Sequence, residues 1–255
     1  MARRIALVDP ELGPLTDDFL TRDVRVFQRE KGHRFSSDDV ATAYVAYLAR
    51  PDARRILDMG CGLGSVLLQL AWKLPEARLC GVEAQAQSFE LLQRNVARSG
   101  FAEHISVAHG DLRDEALMSS FGGNFDLITG TPPYFPASAA LDAEDEQRAY
   151  ARVEYRGGIE AYIEAGARLL PDAGTLVLCG DARSGPRATS AAALYGLRVV
   201  ARCDVLPRAE REPLFSVWTL QRQGQDCHET RLTLRSPLGE PTGDARRLRE
   251  FCGFL

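Results

Sequence analysis

The residues with the most chemistry to offer begin at Asp58-Met59-Gly60-Cys61-Gly62-Leu63-Gly64, which joins the apolar run Arg55-Ile56-Leu57 to an apolar helical stretch. Glycines in such a turn let a ligand approach the backbone, because a side chain would block it or could not adopt the dihedrals required. The spacing of Gly60, Gly62 and Gly64 is GxGxG, one residue tighter than the loop that seats a dinucleotide pyrophosphate on a helix N-terminus. It suits a ligand that has no phosphate. Asp58 stands at the carboxyl end of the first strand, where open α/β sheets bind ligands. There it would hold an amino-acid group, partly through water. Glu83 ends the next strand about twenty residues on, where a carboxylate accepts hydrogen bonds from both hydroxyls of a ribose. Asp111 ends the third strand and could take the exocyclic amine of an adenine, with Leu112 adding a backbone contact. An amino acid, a ribose and an adenine without phosphate describe S-adenosyl-L-methionine.

A second constellation, Thr131-Pro132-Pro133-Tyr134-Phe135, follows the fourth strand and should lie beside the transferable methyl group. Neither proline can donate a ladder hydrogen bond, so the segment ends its strand in a rigid turn. Many amino methyltransferases resemble one another here in having Asn, Asp or Ser before Pro-Pro-Tyr or Pro-Pro-Phe. An arylamine nitrogen is a poor nucleophile because its lone pair is delocalised into the ring. A side-chain acceptor and a proline carbonyl that bind its two hydrogens favour a tetrahedral nitrogen aimed at the methyl group. The aromatic ring of Tyr134 is expected to stack on a base taken out of its helix. Thr131 supplies a hydroxyl acceptor, shorter than an asparagine amide and branched at Cβ.

These groups need a scaffold of strand ends, and the sequence supplies one. From residue 54 short apolar runs alternate with amphipathic stretches, the pattern of repeated βα units around a parallel sheet. Strands are expected at 55–58, 77–83, 105–110, 125–128 and 175–179. Helices are expected at 66–71, 85–99, 114–120, 158–170 and 186–195. Strands at 197–205 and 214–222, with no helix between them, read as an antiparallel hairpin at the sheet edge. Upstream, 24–28 alternates like an edge strand, and a helix over 37–49 has Ser and Asp residues to cap it. The stretch 137–156 is long for a structureless loop, and its position after Tyr134 suggests a substrate lid. The organisation expected is an N-terminal extension, 1–50, packed on a catalytic domain, 51–255.

The 255 residues suffice for one substantial core. No apolar stretch approaches the roughly 20 residues of a membrane helix, and no signal-peptide core opens the chain, so a cytoplasmic protein is expected. A net charge of -4 argues against coating nucleic acid nonspecifically. Lys31 and Lys73 are the only lysines, and Arg22, Arg25, Arg29, Lys31 and Arg34 form the densest basic cluster. Six scattered cysteines show no zinc spacing, so no metal is expected. Cys61, inside the glycine loop, is the one thiol placed where reactivity would matter. None of His33, His104, His109 or His228 is placed to serve as a general base.

The chain resembles the bacterial tRNA1(Val) adenine-37 N6-methyltransferase family. The resemblance covers 27–38, the glycine loop, Val82-Glu83, Gly110-Asp111, Pro132-Pro133-Tyr134-Phe135, 147–152, 231–235 and the closing 251–255. It implies an α/β, Rossmann-like class I methyltransferase fold, a seven-stranded, mostly parallel sheet with an antiparallel edge hairpin and helices on both faces. It also implies methyl transfer from adenosylmethionine to the exocyclic amine of an adenine in tRNA or another structured RNA. By the same resemblance Arg34, Phe35 and Asp38 help close the cofactor pocket. The residues leave two alternatives open, a methyltransferase acting on a protein glutamine or small molecule, and a cofactor-binding protein whose activity was lost with the change to Thr131.

Overall fold

The computed structural model describes residues 5–136, 145–224 and 226–254. The first three strands, β1 (Ile5–Asp9), β2 (Gly13–Phe19) and β3 (Arg25–Arg29), form a small antiparallel meander of their own. β3 occupies the expected edge strand. The two strands before it were hidden by Pro14 and by the adjacent acids Asp17 and Asp18, which strands seldom hold. The helix α1 (Ser37–Ala49) follows, started by a capping box in which the Ser36 amide donates to Asp39 Oδ2 at 2.8 Å.

The main sheet then assembles as the alternating pattern requires. β4 (Arg55–Met59), α2 (Ser65–Lys73), β5 (Arg78–Glu83), α3 (Ala86–Arg98), β6 (Ile105–His109), α4 (Glu115–Ser120) and β7 (Leu127–Gly130) succeed one another. After α5 (Glu146–Arg152) come α6 (Ile159–Leu169), β8 (Thr175–Gly180), α7 (Gly185–Leu194), β9 (Arg198–Leu206), β10 (Phe215–Gln221), β11 (His228–Thr233) and α8 (Gly243–Phe251). The strand order is β11-β9-β10-β8-β7-β4-β5-β6, with β10 alone antiparallel to its neighbours. Strands β4, β5 and β6 step one way across the sheet and β7 and β8 the other. The carboxyl ends of β4 and β7 therefore flank the crevice where such sheets bind ligands.

The sheet has eight strands rather than seven. The extra one, β11, pairs parallel with β9, so the β9–β10 hairpin does not form the edge. Of its six residues only Leu232 is buried, and without an alternating apolar face nothing in the sequence marks it as a strand. The expected lid also divides. Residues 137–144 lie outside the described residues, whereas 146–152 is helical.

Two layers of helix cover the sheet. Side chains from α1, α2, α3 and α8 build one core with Ile56, Val177 and Cys179, and those from α4, α6 and α7 build the other with Leu57, Met59 and Trp218. Consecutive strand residues thus feed opposite cores, as the pleat dictates. α3 buries Ser88, Leu91, Leu92, Asn95 and Val96, a stripe at helical spacing.

Asn95 on that stripe ties three elements together. Its carbonyl accepts from the Phe27 amide at 2.7 Å, and its amide donates to the Phe27 carbonyl at 3.1 Å and the Leu63 carbonyl at 3.0 Å. The small sheet is thereby fastened to α3 and to the glycine loop. Asn95→Ala leaves three backbone groups without this partner, and we expect a loss of about 2–4 kcal/mol in urea unfolding. A loss below about 1 kcal/mol would show that water replaces the amide freely.

Candidate active site

The glycine loop turns tightly between β4 and α2, with Gly60, Gly62 and Gly64 at φ of 61°, 55° and 94°. A Cβ on Gly60 would collide with the Tyr162 hydroxyl, and one on Gly64 would lie 2.8 Å from Leu92 Cδ1. A Cβ on Gly62 would meet nothing within 4 Å. The outer glycines are therefore required by packing as well as by dihedral, whereas Gly62 turns its open face to the cavity. The loop is pinned by the Cys61 amide donating to the Val82 carbonyl at 3.0 Å and by the Gly62 amide donating to Glu83 Oε2 at 2.8 Å.

Three buried carboxylates gather around this loop. Glu83 lines the cavity and also accepts from the Gln85 amide at 2.7 Å. Burial raises its pKa, opposed by the Gln85 and Gly62 amides and by the Arg156 guanidinium. Asp58 is 1% exposed and sits behind the wall, where its Oδ1 accepts from the Thr129 hydroxyl at 2.7 Å. Its Oδ2 has no partner. Asp39, from the first turn of α1, lines the cavity and accepts from the Ser65 hydroxyl at 2.8 Å. Burial, helped by neighbouring carboxylates, pushes both aspartates up to about 7.

The side of the cavity where an adenine is expected is more open. Asp111 and Leu112 both line the cavity, but Arg113 clasps Asp111 through its Nε and Nη2 at 2.9 and 2.7 Å and holds its carboxyl below the usual range. On the opposite wall stand Thr131 and Pro133, while Pro132 is buried behind them. Tyr134 does not line the cavity. Its hydroxyl donates to Asp38 Oδ2 at 3.0 Å and shares a hydrogen bond with Cys179 Sγ at 3.0 Å. The aromatic lining comes instead from Phe35, Tyr150 and Tyr162.

Sequence reasoning missed Asp39, Tyr150, Arg156 and Tyr162, which reach the cavity from outside the strand ends. It also set aside His33, which lines the wall with its pKa lowered by burial and by Arg152 and Arg148. Of the segment flagged near the N-terminus, Phe35 lines the cavity, Asp38 holds Tyr134, and Arg34 turns away to Asp18 at 2.7 Å. One signal was available for α5, its resemblance-bearing residue Gln147. That side chain is buried, accepts from Arg29 and the His33 amide at 3.2 Å each, and donates to Ser88 at 3.0 Å. Burial and the adjacent acids push the Cys61 thiol well above the usual range, which disfavours the reactive thiolate. Among the described residues no His, Cys, Asp and Glu cluster is arranged to hold a metal, and no helix is long and apolar enough to cross a membrane.

The residues present fit an adenosylmethionine cofactor. Gly62 offers an open cradle, and the Asp39 and Glu83 carboxylates on the cavity wall call for a ligand that brings positive charge and hydrogen-bond donors. A sulfonium and an ammonium supply both.

The methyltransferase small domain family matches residues 28–149. A Porphyromonas gingivalis protein named tRNA1(Val) (adenine(37)-N6)-methyltransferase is 36% identical over 165 residues, covering 64% of this chain and 64% of that one. The chain thus matches just under two thirds of that relative's length. A Yersinia pestis protein of the same name is 30% identical over 190 residues, 73% of this chain and 74% of that one. Among solved structures, a protein described as a predicted O-methyltransferase from Agrobacterium tumefaciens aligns with a TM-score of 0.62 at 19% identity, covering 84% of this chain and 96% of that one. At that identity the likeness is one of fold.

The raised aspartates predict a pH dependence of stability. Unfolded, each ionises near 3.8; folded, near 7. As pH rises the unfolded chain releases its protons first, so stability is lost between about pH 4 and about pH 7. Asp58→Asn removes one such group, and the fall in melting temperature from about pH 5 to about pH 8 should be smaller than in the wild type. An equal fall would mean that Asp58 is ionised in the folded protein throughout.

Proposed function

The chain belongs to the tRNA1(Val) (adenine(37)-N6)-methyltransferase family, and on that premise we propose that it methylates the exocyclic N6 amine of an adenine in tRNA or another structured RNA. The observation that carries this reading is a single cavity that holds the open Gly62 cradle, the Asp39 and Glu83 carboxylates, and the Thr131–Pro133 turn on its opposite wall. Bound S-adenosylmethionine would supply the methyl group as an electrophilic carbon on sulfur. Asp39 would hold its amino-acid end, with Asp58 acting from behind the wall, Gly60, Gly62 and Gly64 would let it lie against the backbone, and Glu83 would take the ribose hydroxyls. Asp111, already tied to Arg113, would meet the adenine edge together with the Leu112 backbone.

On the acceptor side the Thr131 hydroxyl and the Pro132 carbonyl are assigned the two amine hydrogens. Accepting both draws the nitrogen out of conjugation and directs its lone pair to the methyl carbon. With the methyl group supplied by bound S-adenosylmethionine, a new N–C bond would replace the sulfonium C–S bond and one amine proton would pass to water. A methylated aromatic ammonium is acidic enough to need no strong base. Tyr150, which lines the cavity, is assigned the face against which the acceptor base lies, with Tyr134 buttressing the wall through Asp38. Under this reading the enzyme works in the cytoplasm, where tRNA is found.

Transfer of label from tritiated adenosylmethionine into bulk RNA and into bulk protein, each from a strain lacking this chain, tests the reading. Label recovered as N6-methyladenosine is expected; label in protein alone, or none in either, overturns it. With RNA as substrate, Thr131→Ala should lower kcat by about 10-fold or more while the KM for cofactor holds, since an interaction made mainly in the transition state is removed. Thr131→Asn, which restores an acceptor of longer reach, should retain turnover. Activity that appears only in the Asn variant would contradict the role given to the hydroxyl.

A further inference from the structure

The mouth of the cavity carries a second set of groups that methyl transfer itself does not use. α5 turns Gln147, Tyr150 and Ala151 toward the core and cavity, and Arg148 and Arg152, one helical turn apart, outward to solvent. Arg156 follows on the cavity wall with its guanidinium 4.3 Å from the centre of the Tyr150 ring. Tyr155 packs edge-on against Tyr150 at 5.2 Å and is 43% exposed, and Phe135 is 47% exposed. The Phe135 amide donates to the Arg152 carbonyl at 2.9 Å, and the Glu154 amide donates to the Phe135 carbonyl at 2.8 Å. This short parallel bridge holds the arginines and rings to the same turn that carries Thr131.

Among the described residues no acid forms an ion pair with Arg148 or Arg152, while Arg156 lies in the field of Glu83 and Asp111. Asp145 is committed to Arg29 at 2.9 Å and Glu154 to Arg187 at 2.9 Å, which among the described residues near the helix leaves Glu146 at its first turn, where it complements the helix dipole. The denser arginine cluster near the N-terminus is different. Arg22, Arg25, Arg29 and Arg34 each bind a carboxylate, that of Asp23, Asp17, Asp145 and Asp18 respectively. Arg25 and Arg34 brace the small sheet and Arg29 joins it to α5, instead of presenting a phosphate surface. A positive rim above a floor of buried carboxylates keeps phosphates at the edge while admitting an uncharged base.

We propose that Arg148, Arg152 and Arg156, with the exposed rings of Phe135 and Tyr155, form the docking surface for a single-stranded RNA loop, guanidiniums on its phosphates and aromatic faces under its unstacked bases. Exposed aromatics between guanidiniums match single-stranded RNA, whose base faces are accessible, better than a duplex or a neutral peptide segment. The proposal rests on the reading that the methyl acceptor is RNA.

Anisotropy titrations with a fluorescent RNA stem-loop and with a fully paired duplex of the same length, over a range of salt, test it. Arg148→Glu/Arg152→Glu should weaken stem-loop binding about 10-fold or more and flatten the slope of log K against log salt by about 1.4, about 0.7 for each single-strand phosphate that is no longer neutralised. Phe135→Ala/Tyr155→Ala should weaken it about 10-fold with the slope unchanged. Both double variants should bind adenosylmethionine like the wild type, which checks the fold. Wild-type affinity and slope in both variants, or a duplex bound as tightly as the stem-loop, overturns this surface while RNA methylation stands. A wild type that neither binds the stem-loop nor methylates RNA removes the functional reading and this one with it.

Discussion

The costliest feature of this molecule is the burial of three carboxylates, those of Asp39, Asp58 and Glu83, at the carboxyl edge of one sheet. A buried charge costs several kcal/mol unless it is paired and hydrogen-bonded, and like charges nearby add to that cost. Much of the local architecture answers this constraint. The capping box of α1 gives Asp39 a backbone amide, Ser65 gives it a hydroxyl, Thr129 meets Asp58 from the neighbouring strand, and the Gly62 and Gln85 amides converge on Glu83. The two that line the cavity, Asp39 and Glu83, favour a ligand that brings positive charge and donors. A cation with several donors relieves the arrangement, and adenosylmethionine has that character.

The same constraint explains why the small N-terminal sheet and α5 belong to the site. The glycine loop must stay in a left-handed path with its amides aimed at Glu83, and Asn95 fixes it to α3 and β3. Gln147 then joins α5 to β3 and α3, so that Tyr150 and Arg156 arrive over the cavity. Arg156 also contributes to the balance of charge, since it favours the ionised forms of both Glu83 and Asp111.

How much of this the sequence discloses depends on how local the determinant is. The glycine loop, Glu83 and Asp111 are legible because each sits at a strand end fixed by the alternating pattern, and most helix and strand bounds follow from the same periodicity. Asp39 is not legible as a site residue, because a capping acid on α1 reaches the loop only through the packing of α1 on α2. β11 escapes because pairing with β9, not an apolar face of its own, makes it a strand. The arginines of 22–34 resemble a basic patch in sequence, yet Arg25 and Arg34 find carboxylates only in the folded sheet and Arg29 beside α5. Tyr134 follows the turn as its motif suggests, but Asp38 and Cys179, distant in sequence, set where its ring lies.

The central claim is that the buried acids exist to receive a cationic cofactor. Calorimetric titration of the protein with adenosylmethionine between about pH 5.5 and about pH 7.5, in two buffers of different ionisation enthalpy, addresses it directly. With Asp39 and Asp58 protonated up to about 7 in the free protein, binding should release protons to the buffer. The affinity should then fall by roughly tenfold per pH unit for each proton released as pH is lowered. Affinity independent of pH with no proton exchanged, or a failure to bind at all, would contradict the account.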